Sequence, residues 1–391
     1  MKKPRVLFPY TEAGLGHIEP MNSIAAEFER LYGDRVECVR SQFFTEGGNK
    51  KLAVFERRLA GEVVKHNKSR WYGHFATFNM DLWHTTIAMW GTMTFLKMGS
   101  RRPGYRHMDE LAPDLVVSTH WATNYYAKKC KCKPLTVTYC PDAVVNPLFR
   151  YKSDLVMVST ATGYDRAKKY SRRFNDENLK LVPFLIRAEA FSVNADDKRG
   201  IREKLGLDPD KFTVILAEGG YGIGKMEATV YEILRRDLPV NLVAVCGKNK
   251  ELFERLQRRK VSGKTVFKPM GLIDNMLEVM ASGDMFIGKS GANICAEACF
   301  FGLPHIITHC ATNIEKYLAG YYTNTVGSAM KIFDVLEAVG KVEEFLNHPE
   351  RMEPYIAAAK AQRDNFGATK CAELIFELLT KKFPELKEPE A

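Results

Sequence analysis

The chain has 391 residues, 46% of them hydrophobic and 27% charged, which excludes a disordered or fibrous protein and suggests two globular domains rather than one. Its formal net charge is +10, gathered locally in "RRPGYR" (101–106), "KKCKCK" (128–133) and "RAKKYSRR" (166–173). Such patches suit anionic lipid headgroups, acidic ligands or plain solvated surface; without zinc-finger spacing or an aromatic RNA-binding signature, nucleic acid is not an expected partner.

The N-terminus "MKKPRVLFPY" has basic residues but no long apolar core or cleavage site, so no signal peptide is expected. Nine cysteines in no regular framework point to reduced thiols in the cytoplasm. "RVLF" reads as a strand, and "TEAGLGHIEP" (11–20) turns it into a helix expected over about 20–32. Gly14 and Gly16 permit a tight turn, and Pro20 fits an early helical position where its missing N–H costs nothing. His17 then sits beside a helix N-terminus, where free amides favour an anion. A plain strand-to-helix turn with a capping histidine fits the same ten residues.

"RWYGHFATFNMDLWHTTIAMWGTMTFLKMG" (70–99) holds three of the four tryptophans, and its helical projection is apolar over an unusually wide arc. It is too short in uncharged residues to span a bilayer, and reads either as a buried helix or as a surface that touches lipid. "PDLVVST" and "PLTVTYC" are further strands. Cys130 and Cys132 of "CKC" lack a partner pair at zinc spacing and read as surface or core thiols.

The second half repeats the grammar. "FTVILAEGG" (212–220), "VNLVAVCG" (240–247), "DMFIGKSG" (284–291) and "PHIITHC" (304–310) are strands separated by helices, which implies parallel sheets covered on both faces. Glycines at 219, 220, 222 and 224 lie between a strand and a helix. Lys289–Ser290–Gly291–Ala292 forms a turn whose amides can face a phosphate, on a helix expected to begin near Asn293. Glu297, about one turn further in, can accept both ribose hydroxyls of a nucleotide seated there. Two similar α/β units join near 181–191, giving expected domains at 1–182 and 183–350, with helices at 351–391 packing back and a disordered tail "PELKEPEA".

"KSGANICAEACFFGLP" resembles the donor-nucleotide signature of inverting glycosyltransferases with two Rossmann-like domains, the GT-B architecture. The resemblance covers most of the chain and is nearest to the diacylglycerol galactosyl- and glucosyltransferases of glycosyltransferase family 28, the monogalactosyldiacylglycerol synthase-like group. "AGLGH" (13–17) is similar to the family's first glycine loop, "STHW" (118–121) to a strand end with a histidine, "PFLIR" (183–187) to an interdomain element, and "MGLIDNM" (270–276) to a base loop. The resemblance implies two parallel sheets facing a central cleft and a UDP-sugar as donor, with no metal or other cofactor. It implies amides at Gly14, Gly16, Gly219, Gly220, Gly222, Ser290, Gly291, Ala292 and Asn293 around the phosphates, with Arg187 beside them. It further implies Glu297 on the ribose, Leu272 and Met276 bracketing the base, and Asn313 and Glu315 in the region that reads sugar hydroxyls.

The implied chemistry is direct displacement at the anomeric carbon, with His17 as base or orienting group and Asp142 as the alternative base. Two positions depart from the family: Glu218 stands where glycine is usual, and Asn146 where a histidine is usual. The apolar 70–99 passage with Arg101, Arg102 and Arg106 suits a lipid acceptor, most simply diacylglycerol, met at the anionic inner face of the cell membrane by a peripherally bound cytoplasmic enzyme. The alternatives are a UDP-sugar epimerase of the same fold and a non-catalytic nucleotide-sugar binder. A Rossmann dehydrogenase is disfavoured because "GLGHIEP" lacks the third glycine of the dinucleotide fingerprint.

Overall fold

The computed structural model describes residues 3–11, 15–57, 61, 99–145, 149, 153–171, 173–219 and 224–387. The chain forms two compact units, Met1–Arg187 with Asn365–Ala391, and Ala188–Asp364. Each is built on a six-stranded sheet in which every recorded pairing is parallel.

The first unit contains β1 (Arg5–Tyr10), β2 (Glu37–Gln42), β3 (Leu115–Ser118), β4 (Leu135–Cys140), β5 (Leu155–Val158) and β6 (Leu179–Leu181), in the order β2-β1-β3-β4-β5-β6. Alternation along the strands sends side chains to opposite faces. Val6, Phe8, Leu115 and Val117 therefore join one core, and Leu7 and Val116 the other. The helix after β1 runs Leu15–Tyr32, so it starts five residues before the expected position and carries Pro20 inside it. A proline there forgoes one bond to the fourth residue back, which is Gly16. Gly16 is exposed, with open space around its α-carbon, so water can serve that carbonyl. The helix Thr369–Lys382 packs on Leu15–Tyr32, with the rings of Tyr32 and Phe376 stacked at 3.9 Å.

The second unit contains β7 (Phe212–Ala217), β8 (Val240–Val245), β9 (Val266–Met270), β10 (Met285–Lys289), β11 (His305–His309) and β12 (Ala329–Lys331), in the order β12-β11-β10-β7-β8-β9. Val214 and Leu216 of β7 face one core, while Ile215 and Ala217 face the other. The helix Glu353–Lys360 belongs to this unit, so the C-terminal helical stretch divides between the two.

All nine cysteines are free thiols. Cys130 and Cys132 hold their sulfurs 3.3 Å apart, and the Asp109 carboxylate accepts the amides of Lys131 at 2.7 Å and Cys132 at 2.9 Å. Burial, with the neighbouring Cys130 thiol and then the Asp109 carboxylate, pushes the Cys132 thiol far above its ordinary value. Among the described residues no helix is long and apolar enough to cross a membrane.

Candidate functional site

In an open parallel sheet, a crevice forms where neighbouring strands lead their connections to opposite sides, at the carboxyl ends of the strands. In the first sheet that point lies between β1 and β3. His17 follows β1, and Thr119 and His120 follow β3. The Nδ1 of His17 lies 2.8 Å from the Thr119 carbonyl oxygen, and the Thr119 hydroxyl donates back to the His17 carbonyl at 2.5 Å. A carbonyl oxygen only accepts, so Nδ1 carries the hydrogen and Nε2 of the neutral ring keeps its lone pair. Burial lowers the His17 pKa, opposed in part by the Thr119 bond, and the ring is held in its basic form.

His120 is buried and caps the helix Trp121–Ala127, its Nδ1 accepting from the Ala122 amide at 3.2 Å. In its neutral form the hydrogen is therefore on Nε2. The two imidazoles meet edge to face with centroids 4.9 Å apart, and Phe149 lies 6.1 Å from His17 on a nearly parallel plane. Asp142 is half-buried, two residues beyond β4, the next strand along the sheet. Three titratable groups thus rise from the carboxyl ends of three adjacent strands.

In the second sheet the reversal lies between β7 and β10. Glu218 and Gly219 follow β7, and Gly219 adopts a φ of 75° that suits glycine. Ser290 and Gly291 follow β10. Gly291 is the N-cap of the helix Ala292–Phe300 and has no side chain to satisfy the first-turn amides. Gly291, Ala292 and Asn293 are all partly exposed, so this helix start can receive an anion. The Ser290 side chain turns the other way: it is buried, and its hydroxyl lies 3.1 Å from the Cys310 sulfur and 3.4 Å from the His309 carbonyl.

Glu297 lies inside this helix with 3% exposure. Glu315 is the third residue of the helix Asn313–Gly320, whose N-cap Thr312 accepts the Glu315 amide at 3.1 Å. Both Glu315 carboxylate oxygens are engaged, one by the Ala311 amide at 2.6 Å and the other by Lys289 at 3.0 Å. Asn313 opens the same helix. Leu272 is 69% exposed just beyond β9, and Met276 starts the helix Met276–Ala281, half-buried against the core. Arg187 is the last residue of the first unit before the chain crosses to the second; the preceding Ile186 carbonyl accepts from Ser23 at 2.7 Å.

Gly14, Gly220, Gly222 and Asn146, and the passage 70–98 with Trp83 and Trp90, lie outside the described residues. Two contributors escape a sequence reading. Thr119 acts through its carbonyl, which no residue letter announces. Thr308 is buried at a register slip, where Gly288 pairs with Ile307 but Lys289 with His309, and its hydroxyl reaches the Glu218 carboxylate at 3.3 Å.

Residues 225–373 match the glycosyltransferase family 28 C-terminal domain. The match covers most of the second unit and runs into the segment from Asn365 that returns to the first. The chain is 25% identical over 337 residues to a monogalactosyldiacylglycerol synthase described as probable from Nicotiana tabacum, covering 82% of this chain and 59% of that protein. It is 26% identical over 254 residues to the processive diacylglycerol beta-glucosyltransferase of Bacillus subtilis, covering 63% of this chain and 64% of that protein. The chain thus spans less than two thirds of the length of these curated relatives. Among solved structures, the S. aureus MnaA–UDP co-structure is 14% identical with a TM-score of 0.64, covering 100% of this chain and 99% of that one. That likeness is one of fold, the two Rossmann-like domains of the GT-B class. The family 28 match includes the helix start at Gly291, Glu297 and the capped Glu315, but begins after Glu218 and Gly219.

Proposed function

We propose that this protein is an inverting glycosyltransferase that moves a hexose from a UDP-sugar to a lipid acceptor, most simply diacylglycerol. The observation that carries the reading is a helix start without a side-chain cap, at Gly291, on the switch point of a sheet whose residues from 225 onward match the glycosyltransferase family 28 C-terminal domain. The names of the two relatives, both diacylglycerol-related transferases, supply the acceptor class.

The acceptor hydroxyl attacks the anomeric carbon, its oxygen–carbon bond forms, and the bond from that carbon to the diphosphate oxygen breaks. The acceptor proton goes to Nε2 of His17, whose lone pair is fixed by the Nδ1–H bond to Thr119. The Thr119 carbonyl then does what a carboxylate does elsewhere, setting the tautomer and stabilising the imidazolium. Negative charge on the leaving diphosphate falls to the amides at Gly291 and to Arg187. Glu297 holds the ribose hydroxyls and Leu272 and Met276 the base.

Membrane contact is assigned to the helix Arg101–Leu111. Arg102 and Arg106 are exposed, and Arg106 pairs with Glu110 at 2.9 Å, an exposed pair that gives way to a lipid phosphate at little cost. Each arginine near an anionic surface contributes about 1 kcal/mol, so flotation with anionic vesicles should weaken when Arg101, Arg102 and Arg106 become glutamine.

The deciding experiment incubates the protein with labelled UDP-glucose or UDP-galactose and a total lipid extract. Label in the lipid fraction supports the transferase. Label returning as an isomeric UDP-sugar overturns it in favour of the epimerase, and unchanged donor overturns it in favour of a binding protein.

A further inference from the structure

Two helices begin at the switch point of the second sheet, and their first turns are satisfied differently. The helix Ala292–Phe300 starts at a glycine. The helix Met226–Arg235 has Lys225 as N-cap, and the Lys225 side chain makes no cap bond. Its first amides are served by Glu218, the residue after β7, instead. Oε1 of Glu218 accepts from the Lys225 amide at 2.8 Å and from the Thr308 hydroxyl at 3.3 Å, and the Met226 amide acts on the same carboxylate.

Glu218 is 4% exposed, and among the described residues its Oε2 has no hydrogen-bond partner. Burying half a carboxylate without a partner is costly. Accordingly, burial raises the Glu218 pKa, while the two amides, Thr308 and the nearby Lys289 pull it back. The room it uses is kept by Gly224, where a β-carbon would overlap the carboxylate. A side chain held at a cost, in a space kept open for it, on amides that attract anions, is a ligand supplied by the protein itself.

We propose that the Glu218 carboxyl group is an internal occupant of the oxyanion seat at the start of the helix Met226–Arg235, and that a diphosphate gains this seat only by displacing it. Each amide hydrogen serves one oxygen at good geometry, and two like charges at one helix start repel. Glu218 therefore sets how tightly the unit holds a diphosphate, leaving the helix start at Gly291 as the seat that is open from the outset. The extension to a sugar nucleotide rests on the function proposed above; the anion seat itself does not.

Calorimetric titration of the full chain with pyrophosphate, and separately with UDP-glucose, tests this on the wild type, Glu218→Gln and Glu218→Gly. Pyrophosphate should bind Glu218→Gly about tenfold more tightly than wild type, with Glu218→Gln between them because its amide oxygen still accepts from Lys225. If Glu218→Gly loses its fold along with its cap, the gain in Glu218→Gln decides. Pyrophosphate binding unchanged or weakened in the folded variants overturns the proposal. Tighter pyrophosphate with no UDP-glucose binding in any variant sustains the seat and removes the nucleotide reading. Equal UDP-glucose binding throughout, with pyrophosphate unmoved, does the reverse.

Discussion

The Nδ1–H bond from His17 to the Thr119 carbonyl has kinetic consequences that a capping histidine would not have. With Nε2 as base, His17→Ala should lower turnover by about 100-fold or more while leaving UDP affinity nearly unchanged. Because burial lowers the His17 pKa below 6.5, the acid limb of kcat/KM should lie below the midpoint of an ordinary histidine. Rate assays from pH 4.5 to 8 read both; turnover that survives in His17→Ala, with phosphate affinity lost, makes the ring a helix-end ligand and passes the base role to Asp142. Glu297→Ala addresses the donor side. Loss of a charge-assisted contact to ribose costs about 1.5–3 kcal/mol, roughly a 10- to 150-fold rise in the UDP dissociation constant. Unchanged UDP affinity with a lower melting temperature would make Glu297 a buried structural carboxylate only.

At the scale of elements, the capped start of the helix Asn313–Gly320 is the most direct target. Thr312→Ala removes the acceptor for the Glu315 amide and should cost about 1 kcal/mol of stability, measurable by denaturant unfolding. Because the same first turn holds Glu315 against Lys289, donor selectivity between UDP-glucose and UDP-galactose should shift with it; a stability loss with unaltered selectivity would confine Glu315 to capping. How far such elements are legible in the sequence follows from their chemistry. β3, β4, β7, β8, β10 and β11 are dominated by apolar and β-branched residues and read directly as buried parallel strands. β2 ("ECVRSQ") and β9 ("VFKPM") are edge strands, where polar residues and a proline are tolerated and the hydrophobic signal fades. β6 and β12 are three residues each, too short for any period to show. The turn at Gly219 and the helix that starts after Gly291 are legible from residue type and position, whereas the roles of His17 and Glu297 are proposals that the experiments above test. The Thr119 carbonyl, the placement of Thr308 and the inward turn of Ser290 depend on register between distant strands, which no local pattern encodes.

Over the whole molecule, acid should act on both units through imidazoles whose pKa is lowered in the fold. His305 opens β11 with 2% exposure, its ring edge-on to Phe286 at 4.9 Å, and neither ring nitrogen has a hydrogen-bond partner among the described residues. Burial pushes its pKa down to about 3, with the Gly288 backbone opposing but not offsetting the shift. The unfolded chain takes up that proton as pH falls through about 6.5, whereas the folded chain does not until about 3. The unfolded state therefore binds more protons across this window, and stability falls as pH falls. His17 contributes with the same sign in the first unit, because its folded pKa is also lowered. Glu218 opposes this in the second unit: its folded pKa is raised, so protonating it on acidification removes the cost of its buried charge. Two compact units need not unfold together, so calorimetry rather than a single midpoint is the measurement. Between pH 7.5 and 4.5 the transition of the second unit should move to lower temperature in the wild type, and less far in His305→Leu, which keeps an apolar side chain and takes up no proton. An identical downward shift in both proteins would mean that His305 is not what makes this unit acid-sensitive.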